Sequence, residues 1–285
     1  MGNIHIGCQS NDPKYRVAKI SQNDTKEIQV DDLFPIHPFL AISVGPRHTG
    51  KTNMMVDFML NKYPPDFFDI IIIYCKTVFD DGKWAHILKM VGDDMVRTSF
   101  TEESLLADYL TICEILEHDD PRFRALFIFD DMIADNVSAK QKIDTIGLVS
   151  VMGRHKGISL WFNTQLWRAC APAMRNNATN IFCFGTNNGN ELEKITEECR
   201  GGLSKKEFME IYNQIFRGSD SRFTDGEKPF LHINNAKPLA NRFWKGWDTP
   251  ISIEGAGEHA QVTEGKPVEE PSPEEIEEEV EEEGF

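Results

Sequence analysis

Short, continuous apolar segments alternate with segments of helical periodicity through the middle of the chain. Six apolar segments have the length and composition of buried strands: "FLAISV" (39–44), "FFDIIIIYC" (67–75), "RALFIF" (124–129), "ISLWFN" (158–163), "NIFCFG" (180–185) and "PFLHIN" (229–234). Helical spacing is found over 53–60, 101–118, 138–152, 188–199 and 204–214. Strands that are apolar throughout are buried on both faces. Their alternation with helices predicts an α/β fold with a central, mainly parallel sheet flanked by helices.

The two ends of the chain depart from this pattern. Residues 1–36 are polar and mixed, which predicts an irregular arm or an edge strand, and residues 37–250 form the expected folded domain. Residues 251–285 are rich in Gly, Pro and Glu, so we expect a disordered acidic tail. Thirteen Glu and one Lys in 254–285 give −12, which leaves −4 of the total charge of −16 for the rest. The acidic pI therefore does not exclude a nucleic-acid partner.

The cysteines and the apolar segments indicate the compartment. The sequence has six cysteines, no C-x-x-C pair and no Cys/His spacing suited to zinc. Several cysteines lie inside apolar segments, which favours buried free thiols over disulfides or a metal site. The longest apolar segments have about nine residues, less than half of a membrane-spanning helix. We expect an intracellular protein with no membrane span.

The stretch "GPRHTGKT" (45–52) fits the P-loop pattern G-x-x-x-x-G-K-[ST], between a predicted strand and a predicted helix. Glycines let the backbone curl so that its N–H groups point at phosphates. Lys51 would reach the β and γ phosphates, and the Thr52 hydroxyl would bind Mg²⁺. The alternative is a strand–helix turn with an accidental lysine. The residues predicted to bind the nucleotide are Gly45, Pro46, Arg47, His48, Thr49, Gly50, Lys51, Thr52 and Asn53.

The stretch "ALFIFDD" (125–131) places two carboxylates at the end of a predicted strand. Asp130 would bind Mg²⁺ through water, as in a Walker B motif. Asp131 stands where many ATPases keep a glutamate, and it would orient and deprotonate the attacking water. The alternative is a solvated Asp-Asp turn, which is less favoured beside a P-loop.

The next predicted strand ends in Asn163, Thr164 and Gln165. An amide at this position can sense the γ-phosphate and position water, a role assigned to Gln165 that Asn163 could share; an ordinary loop glutamine is the alternative. Arg154 precedes this strand and Arg175 follows it. Arginine neutralises the charge of phosphoryl transfer well, so either could be an arginine finger that enters a neighbouring subunit's site. Each could equally be a surface or ion-pairing arginine.

These features, in this order, resemble the poxvirus-type genome-packaging ATPases of large DNA viruses, within the FtsK–HerA superfamily of DNA pumps. The matching segments are "GPRHTGKT", "FIFDD", "GRHKGISLWFNTQ", "PAMRNN" and "KPFLHINNAKPLANRFWKGWD". The first two are common to many NTPases, whereas the block from Gly153 to Asn177 is the more specific signature. The similarity covers roughly residues 36–248 and leaves the arm and the tail unmatched.

The resemblance implies sheet order 5-1-4-3-2, a homo-oligomeric ring (hexamer or pentamer) and ATP hydrolysis at subunit interfaces. It implies translocation of double-stranded DNA into a preformed viral capsid, with capsid proteins as further partners. The expected location is the host cell cytoplasm, in the viral factory, and the virion. The expected ligands are ATP and Mg²⁺.

Other functions stay open at this point. They are a non-packaging DNA-transfer ATPase of the same superfamily, a nucleotide-binding switch, and a capsid-associated adaptor that acts through its acidic tail. Basic and aromatic residues mix in "LSKKEF" (203–208) and "NRFWKGW" (241–247), as they do on surfaces that bind nucleic-acid backbones. Solvated helix faces and a packing segment are the alternatives for these two stretches.

Overall fold

The computed structural model describes residues 4–6, 34–64, 66–118, 123–132, 143–216 and 228–253. The strands are β1 (Ile4–Ile6), β2 (Leu40–Val44), β3 (Ile70–Cys75), β4 (Val96–Arg97), β5 (Ala125–Asp130), β6 (Ile158–Thr164), β7 (Asn180–Phe184), β8 (Phe230–Asn234), β9 (Phe243–Lys245) and β10 (Thr249–Ile253). The helices are α1 (Lys51–Asn61), α2 (Ala85–Val91), α3 (Glu102–His118), α4 (Ile143–Met152), α5 (Pro172–Asn177), α6 (Gly189–Cys199) and α7 (Lys205–Phe216).

The strands form one mixed sheet in the order β1-β10-β9-β8-β7-β2-β6-β5-β3-β4. The strands from β7 to β4 in this order pair in parallel, and those from β7 back to β1 pair antiparallel. The five strands predicted first along the chain keep the order 5-1-4-3-2 that the resemblance implied. The sheet differs from that expectation by its extra strands, namely β4 at one edge and four antiparallel strands at the other.

The parallel strands are apolar throughout because alternate residues face two different cores. In β2, Leu40 and Ile42 pack into one cluster, whereas Ala41 packs into the other. In β6, Leu160 joins the first cluster and its neighbour Trp161 joins the second. A strand covered on both faces needs no polar alternation, which explains why the sequence shows continuous apolar segments.

Most predicted elements are confirmed, with different bounds. Helix α1 begins at Lys51 rather than at residue 53, and β5 includes Asp130, which was expected to lie just past the strand. At the start of α3, the Ser104 N–H donates to Thr101 Oγ1 (3.1 Å) and the Thr101 N–H donates to Ser104 Oγ (3.3 Å), which is the reciprocal pattern of a capping box. Residues 138–142 of the fourth predicted helical segment lie outside the described residues.

The arm and the acidic tail are described only in part. Ile4–Ile6 of the arm form an edge strand paired with β10, which is one of the two predicted alternatives. Strand β10 extends to Ile253, three residues past the expected domain boundary at 250. The predicted disordered tail otherwise lies beyond the described residues.

The five cysteines that the structure describes are free thiols, and Cys8 lies outside the described residues. Burial raises the pKa of Cys170 and of Cys183 to about 12, so both thiols stay protonated and unreactive. This confirms the preference for free thiols in the described part of the chain. None of the helices found there is both long and apolar enough to cross a membrane.

Candidate nucleotide-binding site

Three neighbouring parallel strands, β2, β6 and β5, end at the same edge of the sheet. The P-loop follows β2, Gln165 follows β6, and Asp131 follows β5. In open α/β sheets this carboxyl edge is where ligands bind. The topology therefore brings together three stretches that are far apart in the sequence.

The P-loop backbone has the curl that its glycines predict. Gly50, the N-cap of α1, has φ 101°, in the left-handed region that favours glycine. His48 also has a positive φ, of 64°. Gly45 lies so close to β7 that an added Cβ would be 2.6 Å from Phe184 Cβ. The Gly45 N–H donates to the Thr164 carbonyl (3.2 Å), which ties the start of the loop to the end of β6.

Lys51 closes this loop from inside. Its ammonium donates to the carbonyl oxygens of Gly45 (2.6 Å) and Pro46 (2.8 Å), and the residue is 8% exposed. Burial lowers its pKa to about 8, against the opposing pull of Asp131 and Asp130. The side chain therefore still carries most of its positive charge at neutral pH, inside the curl of backbone that is predicted to hold phosphates.

Thr52 and Asp130 meet although 78 residues separate them in the sequence. The Thr52 hydroxyl donates to Asp130 Oδ2 (3.1 Å), and the Asn163 amide donates to Asp130 Oδ1 (3.0 Å). Asn163 and Asp130 are direct partners in the β5–β6 register. The indole N–H of Trp161 donates to Asn163 Oδ1 (3.2 Å), which fixes the orientation of the amide. Burial raises the pKa of Asp130, while these two hydrogen bonds favour its ionised form.

Asp131 and Gln165 form a second pair at the same edge. The Gln165 amide donates to Asp131 Oδ2 at 2.7 Å, and the Asp131 N–H donates to the Asn163 carbonyl at 3.2 Å. Asp131 has φ 57°, which turns the chain sharply at the end of β5. Its other oxygen, Oδ1, is buried and has no hydrogen-bond partner. A buried carboxylate oxygen without a hydrogen bond costs folding free energy. A ligand or a water that donates to Asp131 Oδ1 would remove this cost.

The other predicted binding residues line the loop or its exit. Thr49 is buried, and its hydroxyl donates to the Pro46 carbonyl at 2.8 Å. Arg47 is exposed, but its charge contributes to lowering the pKa of Lys51, which places it near the site. Asn53 is exposed on the first turn of α1.

The structure does not bring the two predicted arginines to this edge within one chain. Arg154 is exposed just before the amino end of β6, so the length of the strand, about 20 Å, separates it from Gln165. Arg175 is mostly buried, with its side chain 12% exposed and its Nε 2.9 Å from Glu198 Oε2. It also donates to the Cys170 carbonyl (3.2 Å). Arg175 is thus engaged in an internal ion pair, whereas Arg154 is directed to solvent.

The Thr52–Asp130 pair fits a magnesium ion. Mg²⁺ keeps several of its waters and takes one or two protein oxygens plus substrate phosphates, so a hydroxyl and one carboxylate suffice. Accordingly, the described ranges contain no cluster of three or more His, Cys, Asp or Glu side chains arranged around a metal. Thr52 and Asp130 are the residues that would hold the ion.

Two contacts of the site were missed in the sequence. Asn163 could share the role of Gln165, and its amide also donates to Asp130, a contact that was not predicted. Lys228, which precedes β8, donates a hydrogen bond to the His48 carbonyl. No local pattern marks Lys228, because the two residues are 180 positions apart.

No protein-family model and no curated protein matches the chain. The fold is similar to that of the DNA-packaging ATPase B204 of Sulfolobus turreted icosahedral virus, with TM-score 0.50 and 14% identity over 76% of this chain and 97% of that one. The genome-packaging NTPase B204 of Sulfolobus turreted icosahedral virus 2, bound to ATPγS, has TM-score 0.48 and 14% sequence identity, over 75% of this chain and 97% of that one. The cytoplasmic domain of the type VII secretion ATPase EccC of Thermomonospora curvata has TM-score 0.49 and 12% sequence identity, over 74% of this chain and 26% of that one. At such identities the first likeness shows the fold alone.

Proposed function

We propose that the chain is an ATP-driven translocase of double-stranded DNA that packages a viral genome into a preformed capsid. The observation that carries the proposal is the joint placement of Lys51, the Thr52–Asp130 pair and the Asp131–Gln165 pair at one strand edge. The first fold neighbour is a DNA-packaging ATPase, which supports the motor over the alternative of a simple switch.

In this proposal, some residues of the site bind ATP and the metal, and others take part in proton transfer. Lys51 and the loop N–H groups bind the phosphates of the substrate ATP. Thr52 and Asp130 would hold Mg²⁺, which when bound supplies positive charge to the phosphate oxygens. Asp131 would accept a proton through Oδ1, which has no partner in the protein, while the Gln165 amide holds the carboxylate through Oδ2.

The reaction is the displacement of ADP from the γ-phosphorus by water. The water oxygen forms the new bond to phosphorus, and the bond to the β–γ bridging oxygen breaks, with its electron pair leaving on ADP. The proton of the water passes to Asp131 Oδ1 and from there to the phosphate product. This assignment uses the buried oxygen that has no partner in the protein.

The remaining parts of the proposal concern assembly. Arg154 is the better candidate for an arginine finger because it is exposed and lies at the opposite edge, from which it can reach only another subunit. Arg175 would first have to leave Glu198. The proposed partners are double-stranded DNA, other copies of the chain in a hexameric or pentameric ring, and capsid proteins. The proposed location is the host cell cytoplasm and the virion.

ATPase turnover with and without double-stranded DNA tests this proposal. A DNA-coupled motor is expected to hydrolyse ATP several-fold faster with DNA, and its particle mass with an ATP analogue and DNA should be that of a ring. Turnover that ignores DNA, on a particle of one subunit, would favour the nucleotide-binding switch. A Lys51→Ala variant serves as the control for contaminating ATPases.

A further inference from the structure

Lys228 reaches the P-loop from the antiparallel part of the sheet. Its ammonium donates a hydrogen bond to the His48 carbonyl oxygen. Its aliphatic stem lies over Gly50, where an added Cβ would be 3.3 Å from Lys228 Cδ and 3.5 Å from Lys228 Cβ. A lysine on a protein surface usually keeps its ammonium in water, so a stem packed on a loop glycine and a head bonded to backbone is a specific placement.

Glycine suits position 50 for two reasons. Its φ of 101° disfavours any side chain, and an added Cβ would be in tight contact with the stem of Lys228. Lys228 and the P-loop thus fit each other, although the pattern G-x-x-x-x-G-K-[ST] accounts only for the first of these reasons.

The hydrogen bond to His48 also sets the direction of the next N–H group. Across a planar trans peptide the carbonyl and the following N–H point in opposite directions. Lys228 holds the His48 carbonyl on its own side, so the Thr49 N–H is directed to the other side of the peptide. Lys51 also donates to backbone carbonyls of this loop, those of Gly45 and Pro46, but from inside the curl.

We propose that Lys228 is a positioning residue of the nucleotide site, which orients the His48–Thr49 peptide toward the phosphates and adds a positive charge beside them. The ligands concerned are nucleoside di- and triphosphates. This inference rests on the proposed nucleotide-binding function.

The test is the affinity for ATPγS of Lys228→Met, a change that keeps the apolar stem over Gly50 and removes the ammonium. We expect the Kd to rise about tenfold, the scale of losing one charged hydrogen bond. The KM for ATP should rise more than kcat falls, and the salt dependence of the affinity should become shallower. Lys228→Arg should restore most of the affinity. Lys89→Met, which removes an exposed lysine of α2, is the matched control and should bind as the unaltered chain does.

Three outcomes would overturn the inference. If Lys51→Ala loses binding while Lys228→Met binds as the unaltered chain does, Lys228 has no role and the nucleotide site stands. If the unaltered chain binds no ATPγS, the proposed function fails as well. If Lys228→Met lowers the ligand-free melting temperature and Lys228→Arg restores neither stability nor affinity, the role of Lys228 is structural only.

Discussion

The two edges of the parallel sheet are built from the same strands, yet they use their polar groups differently. At the amino edge, Ser159 Oγ accepts from the Phe39 N–H (3.1 Å) and bonds His37 Nδ1 (2.7 Å). At the carboxyl edge, Asp131 keeps one buried oxygen without a hydrogen-bond partner. Ser159, Phe39 and His37 thus bond one another, whereas Asp131 Oδ1 has no partner in the protein.

The largest expected effect contrasts one buried polar group from each edge. Lys51→Ala removes the ammonium that closes the P-loop, so it should abolish measurable ATP turnover. Ser159→Ala should leave turnover within about twofold but lower the free energy of unfolding by about 1–2 kcal/mol, because the Phe39 N–H loses its partner. ATPase assays and denaturant unfolding measure the two effects. Normal ATP turnover by Lys51→Ala would contradict the assignment of the P-loop as the ATP-binding site.

The next prediction asks whether the amino edge takes part in catalysis through a neighbouring subunit. Arg154→Ala should lower kcat by about 1,000-fold, the scale of an arginine finger, while ATPγS still binds. Mixing Arg154→Ala with Lys51→Ala should restore turnover, because the intact arginine of one subunit then faces the intact P-loop of another. Absence of rescue at every mixing ratio would count against a role in trans. The same mixture with Arg175→Ala tests the second candidate, which should instead lose stability with its ion pair to Glu198.

The third prediction concerns the unpaired oxygen of Asp131. Asp131→Asn keeps the size of the side chain and removes its capacity to accept a proton, so kcat should fall about 100-fold with little change in ATPγS affinity. Single-turnover assays separate this effect from product release. Gln165→Leu, which frees the other carboxylate oxygen, should cause a smaller loss of kcat. Equal turnover of Asp131→Asn and the unaltered chain would exclude Asp131 as the base.

The carboxyl edge could be predicted from the sequence to a greater extent than the amino edge. The P-loop and the Asp130–Asp131 pair are contiguous motifs, and the spacing within a contiguous motif is enough to predict the local arrangement of its residues. Asn163 and Asp130 are 33 positions apart, and Lys228 and His48 are 180 positions apart. No sequence pattern around these residues predicts either contact. For Arg175 the sequence left an arginine finger and an ion-pairing arginine open, and its ion pair is with Glu198 on α6.

The same reasoning applies to the fold. The long apolar strands and the helices of ten or more residues were predicted because their periodicity spans a full window. Helix α2 has 7 residues, α5 has 6 and β4 has 2, which is too short for a periodic pattern to emerge. Strand β9 lies within "NRFWKGW" (241–247), for which a packing segment and a nucleic-acid surface were both open, and β10 crosses the expected domain boundary at 250.

The smallest expected effect is a pH dependence of stability that belongs to the amino edge. Burial, and then the charge of Arg124, lower the pKa of His37 to about 4, whereas Asp69 opposes the shift. Since the folded pKa lies below the ordinary value of 6.5, this contribution to stability is present above pH 6.5 and is lost as the pH falls toward 4. For a partly buried ring we expect the free energy of unfolding to fall by about 1 kcal/mol between pH 7 and pH 5, after allowance for solvent screening.

His37→Gln cannot titrate, so the free energy of unfolding of this variant, measured with denaturant at the two pH values, should change less than that of the unaltered chain. The buried His232, whose pKa is lowered to about 3, titrates in both proteins and cancels in this comparison. Equal differences for the two proteins would mean that burial and Arg124 do not lower the pKa of His37 in the folded chain.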